Sequence, residues 1–208
     1  MPYPKAPRRL PIILSQQEVV RLIDSASNLF HRAMLMTLYS TGMRRAELFY
    51  LKVEDIDSDR MLVDIRHGKG SRDRSVPLSP KLLETLRAYW RWMKPQTYLF
   101  PGTVNHWRVD KPITPKVLSM ACREAAQRAG INKSVRPHLL RHNFATHLLE
   151  QGADLPTLQA LLGHADLKAT SIYLHLSERH LKAAGTPIDQ AKFSSLDQVK
   201  RSRRLHKK

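Results

Sequence analysis

Apolar residues recur at helical spacing through the first fifty residues of the chain. Ser15 followed by Glu18 is the capping-box pattern that precedes a helix. The buried face of that helix is predicted to comprise Val19, Val20, Leu22 and Ile23. A second apolar run occupies residues 29–40 and is followed by Gly42, a residue type that often ends helices in the left-handed conformation. The pattern therefore predicts two successive helices and then a short helical run that reaches Leu51.

The hydrophobic period changes from helical to alternating after residue 60. The segments MLVDI (61–65) and RSVPL (74–78) are short runs of the β type. They are joined by RHGKGSRD, whose two glycines and aspartate predict a hairpin loop that is longer than a two-residue turn. Residues 97–103, TYLFPGT, fit either a third short strand or a buried connection. The sequence thus predicts a small antiparallel sheet.

Helical spacing returns in the rest of the chain, and prolines mark where the helices begin. The predicted starts are Ser79-Pro80, Thr114-Pro115 and Pro137, and the latter two helices are predicted to end near Gly130 and Gly152. Further helices are expected from Leu155 to about Leu162 and near residues 169–175 and 177–184. The predicted fold class is α+β, mostly α with a small antiparallel β-sheet near the N-terminal third.

Three stretches divide the chain. Residues 1–14 are rich in Pro and Arg, which is typical of a lead-in or linker. Residues 15–184 are predicted to form one folded domain, and residues 185–208 form a C-terminal segment that ends in a basic tail.

The charge of the chain favours a polyanionic partner. Its 208 residues include 35 Lys and Arg against 18 Asp and Glu, a formal net charge of +17. The tail KRSRRLHKK holds six basic residues and no acid, so the chain without it still carries +11. Lys and Arg neutralise phosphates and release counterions. Nucleic acid is favoured over a membrane, since no apolar run approaches the roughly 18 residues that a membrane span needs.

The single cysteine, Cys122, excludes a disulfide within the chain and favours a reducing compartment. Its apolar neighbours predict a buried thiol. The N-terminus carries charges but lacks the apolar core of a secretion signal.

Several side chains are of the type that binds a phosphate or transfers a proton to or from it. Arg44 follows the predicted helix end at Gly42, and a guanidinium binds phosphate bidentately without losing its charge. Lys69 lies between glycines in the predicted hairpin loop, where an ammonium can give a proton to a departing alkoxide. His138 and Arg141 share a helix face near a helix N-terminus, which favours an anion. Taken singly, each fits an ordinary surface or capping residue better.

His164 follows the predicted end of the helix that starts at Leu155, and Tyr173 lies nine residues further on, within the helix expected near residues 169–175. A phenol has a pKa near 10, so attack by Tyr173 at neutral pH requires neighbours that take its proton or stabilise its anion. Two arginines, a lysine and two histidines would do so, and would also offset the charge on a pentacoordinate phosphorane.

Neither a metal nor a cofactor is expected. His138 and His142 are four apart, but the Glu of the zinc motif HExxH is missing, and no acidic cluster suited to Mg²⁺ stands among these residues. His142 and His147 are interpreted as structural.

In chain order, TGMRRAEL, HGKGSRDRSVPL, HLLRH, LLGH and ATSIYLHL resemble the catalytic domain of the tyrosine recombinases, or phage-type integrases. The resemblance covers roughly residues 12–184. It implies that Arg44 and Arg141 clamp the non-bridging oxygens of the scissile phosphate, and that Lys69 is the general acid for the 5′ leaving oxygen. It leaves two interpretations of Glu47, a carboxylate that orients Arg44 or a plain surface carboxylate.

The same resemblance implies roles for the remaining residues. His138 would act as acid and base for the nucleophile, and His164 would hydrogen-bond the phosphate. Tyr173 would attack, which gives a 3′-phosphotyrosine link and a free 5′-hydroxyl. The substrate would be double-stranded DNA. Copies of the chain would associate on it into a tetrameric synapse. The protein would act in the cytoplasm, associated with the nucleoid, and would be of bacterial or phage type.

One departure from the family pattern concerns the N-terminus. Members of the family usually carry an N-terminal DNA-binding domain that closes a clamp around the duplex. We expect this domain to be absent here, because the chain starts almost where the catalytic domain should. Both an excised fragment and a naturally minimal protein fit, and we favour the fragment. Full recombination is not expected of this chain alone. At the other end, Leu181, Ile188, Phe193 and Leu196 fit either a segment that docks on a neighbouring protomer or one that packs on its own chain.

Two alternative functions remain open. A type IB topoisomerase-like nickase would use the same chemistry, although LLGH and HLLRH resemble recombinases more closely. A non-catalytic or regulatory DNA-binding domain would have no need of Lys69 and Tyr173 together.

Overall fold

The computed structural model describes residues 13–66, 73–104 and 107–163, together with residue 170. The α-helices within these residues are α1 Gln16–Asp24, α2 Leu29–Thr41, α3 Arg45–Tyr50, α4 Pro80–Met93, α5 Pro115–Arg128, α6 Pro137–Glu150 and α7 Leu155–Leu162. The strands are β1 Ile56–Asp57, β2 Leu62–Ile65, β3 Arg74–Pro77, β4 Pro101–Val104 and β5 Trp107–Pro112, and a short 3₁₀ helix spans Val53–Asp55. The helices predicted near residues 169–175 and 177–184 lie outside the described residues.

The predicted helix ends are confirmed where local chemistry sets them. Ser15 Oγ accepts a hydrogen bond from the Glu18 amide, and Glu18 Oε2 accepts one from the Ser15 amide at 2.7 Å, which completes the capping box of α1. Gly42 ends α2 with a φ of +60°. A side chain at Gly42 would also collide with the Phe144 ring on α6, so glycine is required there for two reasons.

The strands form two antiparallel sheets. In the first, the order is β1-β2-β3, and Val63 lies opposite Val76. The predicted pair 61–65 and 74–78 corresponds to β2 and β3, whereas β1 was not predicted because two residues carry no periodicity. Leu99 and Phe100 form a buried connection that leads into β4, and β4 pairs with β5 in the second sheet.

The main core surrounds α2, which contacts α1, α4, α5 and α6. A smaller apolar cluster packs α7 against α6 through Ala145, Leu149, Leu158 and Leu162. The Cys122 thiol is fully buried, as predicted, and burial raises its pKa to about 12. None of the described helices combines the length and apolar composition that crossing a membrane requires.

His147 connects α6 to α2 and to the segment that precedes α1. Its Nε2 lies 2.9 Å from the Leu14 carbonyl oxygen, which can only accept, so Nε2 carries the proton. Its Nδ1 then accepts from the Tyr39 hydroxyl at 2.8 Å. The Leu14 amide in turn donates to Asn143 Oδ1. These contacts agree with the interpretation of His147 as structural, and burial lowers its pKa.

Candidate active site

Arg44 lies between α2 and α3, and its side chain reaches the C-terminal end of α7. Its Nη1 donates to Glu47 Oε1 at 2.9 Å, and its Nη2 donates to the Gly163 carbonyl oxygen at 2.9 Å. The side chain keeps 35% of its surface exposed. Arg44 is therefore held in place from two sides while part of it faces solvent.

Arg141, in the second turn of α6, is 5% exposed. Its Nη1 donates to the Gly42 carbonyl oxygen at 2.5 Å and its Nη2 to the Leu162 carbonyl oxygen at 2.7 Å. It thus joins the end of α2, 99 positions away, to the end of α7. Arg44 and Arg141 bind the consecutive carbonyls of Gly163 and Leu162, so the structure brings their guanidinium groups close together.

The end of α7 is suited to hold cations. The last carbonyls of a helix have no partner within the helix and carry a partial negative charge. Gly163 ends α7 with a φ of +61°. Arg44, Arg74 and Arg141, called the arginine cluster below, donate to the carbonyl oxygens of Gly163, Leu161 and Leu162 respectively.

Arg74 was not singled out from the sequence. It begins β3, its side chain is 7% exposed, and its Nε donates to the Leu161 carbonyl oxygen at 2.7 Å. Alternation along a strand puts Arg74 on the same face as the buried Val76. An arginine on the core face of a strand needs an acceptor, and that pattern in RSVPL could have identified it.

Glu47 is the anionic centre of the site, with a side chain that is only 2% exposed. Of the two interpretations, the surface carboxylate is therefore wrong. Oε1 accepts from Arg44 Nη1 and Arg74 Nη1, both at 2.9 Å. Oε2 accepts from the Arg44 amide at 2.6 Å and from Arg74 Nη2 at 2.8 Å. Four donors fill the lone-pair positions of the carboxylate.

The electrostatics of the site leave an excess of positive charge. Burial by itself would raise the pKa of Glu47, but the hydrogen bonds from Arg74 and from the Arg44 amide lower it to about 2. Glu47 is therefore ionised at neutral pH and offsets one of the charges of the arginine cluster. The remaining charge is suited to a phosphodiester, which is an anion.

His138 and His142 lie on α6 next to Arg141. His138 lies in the first turn of α6 and is exposed on one side. Burial of the other side of its imidazole lowers its pKa, and the positive charges of Arg45 and Arg141 lower the pKa further. Burial, His138 and Arg141 lower the pKa of His142. Both imidazoles are thus favoured in the neutral form, in which one ring nitrogen can accept a proton.

Lys69, His164 and Tyr173 lie outside the described residues, so their predicted roles stay predictions. In the sequence His164 directly follows Gly163, whose carbonyl holds Arg44. Within the described ranges, no three His, Cys, Asp or Glu side chains form a metal-binding group.

A sequence profile of the phage integrase family matches residues 13–180. The chain is 47% identical over 189 residues to y4qK of Sinorhizobium fredii, a provisionally named integrase/recombinase; the match covers 91% of this chain and 60% of y4qK. The crystal structure of XerA recombinase superposes with a TM-score of 0.76 and 34% identity, covering 92% of this chain and 68% of XerA.

A third relative is the XerH site-specific recombinase, solved bound to its palindromic difH substrate as a post-cleavage complex. It superposes with a TM-score of 0.72 and 26% identity, covering 89% of this chain and 55% of XerH. The chain thus spans about 55% to 68% of the length of these three proteins. The matches confirm the predicted fold class, mostly α with small antiparallel sheets.

Proposed function

The chain belongs to the phage integrase family, and from this premise we propose that it cleaves and rejoins double-stranded DNA in site-specific recombination or integration, through a 3′-phosphotyrosine intermediate. The observation that carries the proposal is the meeting of Arg44 and Arg141 on consecutive carbonyls at the end of α7. In the sequence, His164 follows those carbonyls at once, and Tyr173 comes ten residues after Gly163.

The proposed reaction is a transesterification at one phosphodiester. Arg44 and Arg141 bind the non-bridging oxygens, which offsets the charge that builds up on the phosphorane. The bond from Tyr173 Oη to phosphorus forms as the bond from phosphorus to the 5′ oxygen breaks. His138 takes the phenol proton, Lys69 gives a proton to the 5′ oxygen, and His164 hydrogen-bonds the phosphate. Attack by a 5′-hydroxyl of a partner strand reverses the step without ATP.

The proposed partners are duplex DNA and further copies of the chain. XerH was solved on its DNA substrate, and the net charge of +17 suits a polyanion. We propose a tetrameric synapse on DNA and an association with the nucleoid. The chain spans 60% of the length of y4qK, and we do not expect full recombination from this chain alone.

The test is covalent capture from a library of duplexes with randomised centres and a nick in one strand. If the nick lies a few nucleotides 3′ of the cleaved phosphate, the short fragment diffuses away and the protein–DNA link survives detergent. Sequencing the captured DNA identifies the preferred site. The expected result is a covalent product that peptide mapping places on Tyr173.

Two variants make the test specific. Tyr173→Phe should abolish the product, whereas Tyr50→Phe, which changes an exposed tyrosine on α3, should leave it unchanged. A product that persists in Tyr173→Phe excludes Tyr173 as the nucleophile. If the wild-type chain binds DNA but yields no covalent product, the non-catalytic DNA-binding alternative is the correct one.

A further inference from the structure

We propose that Arg74 is a positioning residue for strand cleavage: from β3 it fixes Glu47 and the end of α7, and through them the guanidinium of Arg44. The inference rests on the proposed function for its chemical consequence. Arg74 is not one of the residues expected to touch the phosphate, and its side chain is 7% exposed.

The hydrogen-bond geometry links Arg74 to Arg44 through one carboxylate. Arg74 donates one N–H to each oxygen of Glu47, at 2.9 Å and 2.8 Å. Such a two-pronged pair fixes the plane of the carboxylate, because rotation would break both bonds. Oε1, held in this way by Arg74, is also the acceptor of Arg44 Nη1.

Arg74 also bonds the helix end that carries the Gly163 carbonyl, the second anchor of Arg44. Its Nε donates to the Leu161 carbonyl oxygen, two positions before the Gly163 carbonyl that accepts from Arg44 Nη2. Arg74 thus holds Glu47 directly and also holds the end of α7, which carries the Gly163 carbonyl. Since Arg44 is 35% exposed, loss of either partner would leave other rotamers open to it.

The absence of a side chain at Gly163 leaves room for the Arg74 guanidinium. A Cβ at Gly163 would lie 2.9 Å from Arg74 Nη1 and 3.1 Å from Arg74 Cδ. The guanidinium of Arg74 therefore occupies the space that any other residue at position 163 would fill.

A purely structural role makes a different prediction from a positioning role. Replacing both members of a buried ion pair by apolar residues is often neutral or stabilising, whereas removing one member leaves an unpaired charge. An apolar pair at positions 47 and 74 can thus restore the fold, but it offers no acceptor to Arg44. Stability and cleavage should separate in the double variant.

The experiment compares Arg74→Met, Arg74→Lys and the double variant Glu47→Leu/Arg74→Met in the full chain. The matched control is Arg32→Met, which removes an arginine paired with Asp24 at 2.7 Å, away from the arginine cluster. Three quantities are measured: the thermal midpoint, the rate of covalent capture on DNA selected by the wild-type chain, and the ¹⁵N signals of the Arg44 guanidinium, identified by their loss in Arg44→Lys.

We expect Arg74→Met to lower the thermal midpoint and to slow capture by about 100-fold, the cost of misplacing a reacting group by roughly 1 Å. The double variant should regain the midpoint but not the rate, and the hindered rotation of the Arg44 guanidinium should be lost. Arg74→Lys, a point charge that cannot make the paired bonds, should fall between wild type and Arg74→Met. Arg32→Met should capture DNA at the wild-type rate.

The outcomes separate this inference from the proposed function. If the double variant regains both the midpoint and the capture rate, Arg74 is only structural, and the function stands. If the wild-type chain forms no covalent product that depends on Tyr173, the function fails, and the Arg44 signals decide the inference alone. Unchanged, hindered Arg44 signals in the double variant overturn it.

Discussion

Among single residues, Glu47 is a carboxylate that would ordinarily be solvated, yet its side chain is only 2% exposed. A glutamate near a helix N-terminus is usually solvated, and the spacing to Arg44 left that interpretation open. Its burial depends on Arg74, 27 positions away, which approaches from another element. The sequence could identify a carboxylate near Arg44, but only the packing identifies it as a buried anion.

The pH dependence of stability should report this anion. The pKa of Glu47 lies at about 2, against an ordinary value of 4.5. A carboxyl whose folded pKa is lowered stabilises the fold fully above its ordinary pKa, and that contribution is lost as the pH falls through the folded value. The shift corresponds to about 3 kcal/mol, lost between about pH 4.5 and pH 2.

Urea unfolding at a series of pH values measures this effect. The free energy of unfolding of the wild-type chain should fall more steeply below pH 5 than that of Glu47→Gln, which has no proton to gain at that position. Parallel curves for the two proteins would mean that Glu47 is not the low-pKa group.

At the scale of elements, the end of α7 is where the tertiary contacts of the site meet. Gly163→Ala should destabilise the protein for two reasons, since its φ is +61° and the new methyl group would press on Arg74 Nη1. Gly130, with a φ of +64° and no atom within 4 Å of an added Cβ, is the matched control. Gly130→Ala should cost about 1 kcal/mol from backbone strain alone.

The comparison of the two alanine variants isolates the contact with Arg74. Chemical denaturation should give a larger loss for Gly163→Ala, and covalent capture should slow only in that variant. Equal losses, with capture unchanged in both, would show that α7 can shift without disturbing the arginine cluster.

The helices were largely predictable from the sequence, and the strands less so. Capping at Ser15, the glycine after α2 and the prolines of α4, α5 and α6 mark helix ends through local chemistry, which the sequence carries directly. β1 is two residues long, and β5, with the sequence WRVDKP, lacks an alternating apolar pattern. Both depend on a partner strand, so no local signal identifies them.

At the scale of the whole molecule, the sequence predicted that Arg44 and Arg141 would converge, but not how. Their order among the motifs implied a shared site by resemblance. The carbonyl oxygens that hold them belong to backbone, and any residue type supplies a carbonyl. No residue type in the sequence therefore indicates that these carbonyls hold the arginines. Gly163, which ends α7 and leaves the carbonyls without helical partners, is the part of the arrangement that the sequence does indicate.

The net charge leads to a prediction for DNA binding as a whole. With +17, the chain should bind duplex DNA with an affinity that falls steeply as salt rises, because each phosphate contact releases counterions. Deletion of residues 200–208 removes six basic residues, so we expect a shallower slope that is still clearly negative for a chain of +11. Fluorescence anisotropy from about 50 to 200 mM salt measures both slopes. A flat response in the full chain would contradict the electrostatic argument.

The contacts among Arg74, Glu47 and Gly163 also constrain which substitutions related sequences can accept at these three positions. Loss of Glu47 alone leaves the buried Arg74 guanidinium without its carboxylate partner, and loss of Arg74 alone leaves the buried Glu47 carboxylate with only the two hydrogen bonds from Arg44. A side chain at Gly163 displaces the guanidinium of Arg74. Glu47 and Arg74 can therefore be replaced only as a pair, and the intermediate that carries one of the two replacements should be less stable than either end point. Among descendants, an uncharged residue at position 74 should coincide with an uncharged residue at position 47, and position 163 should be free to vary only in those lineages.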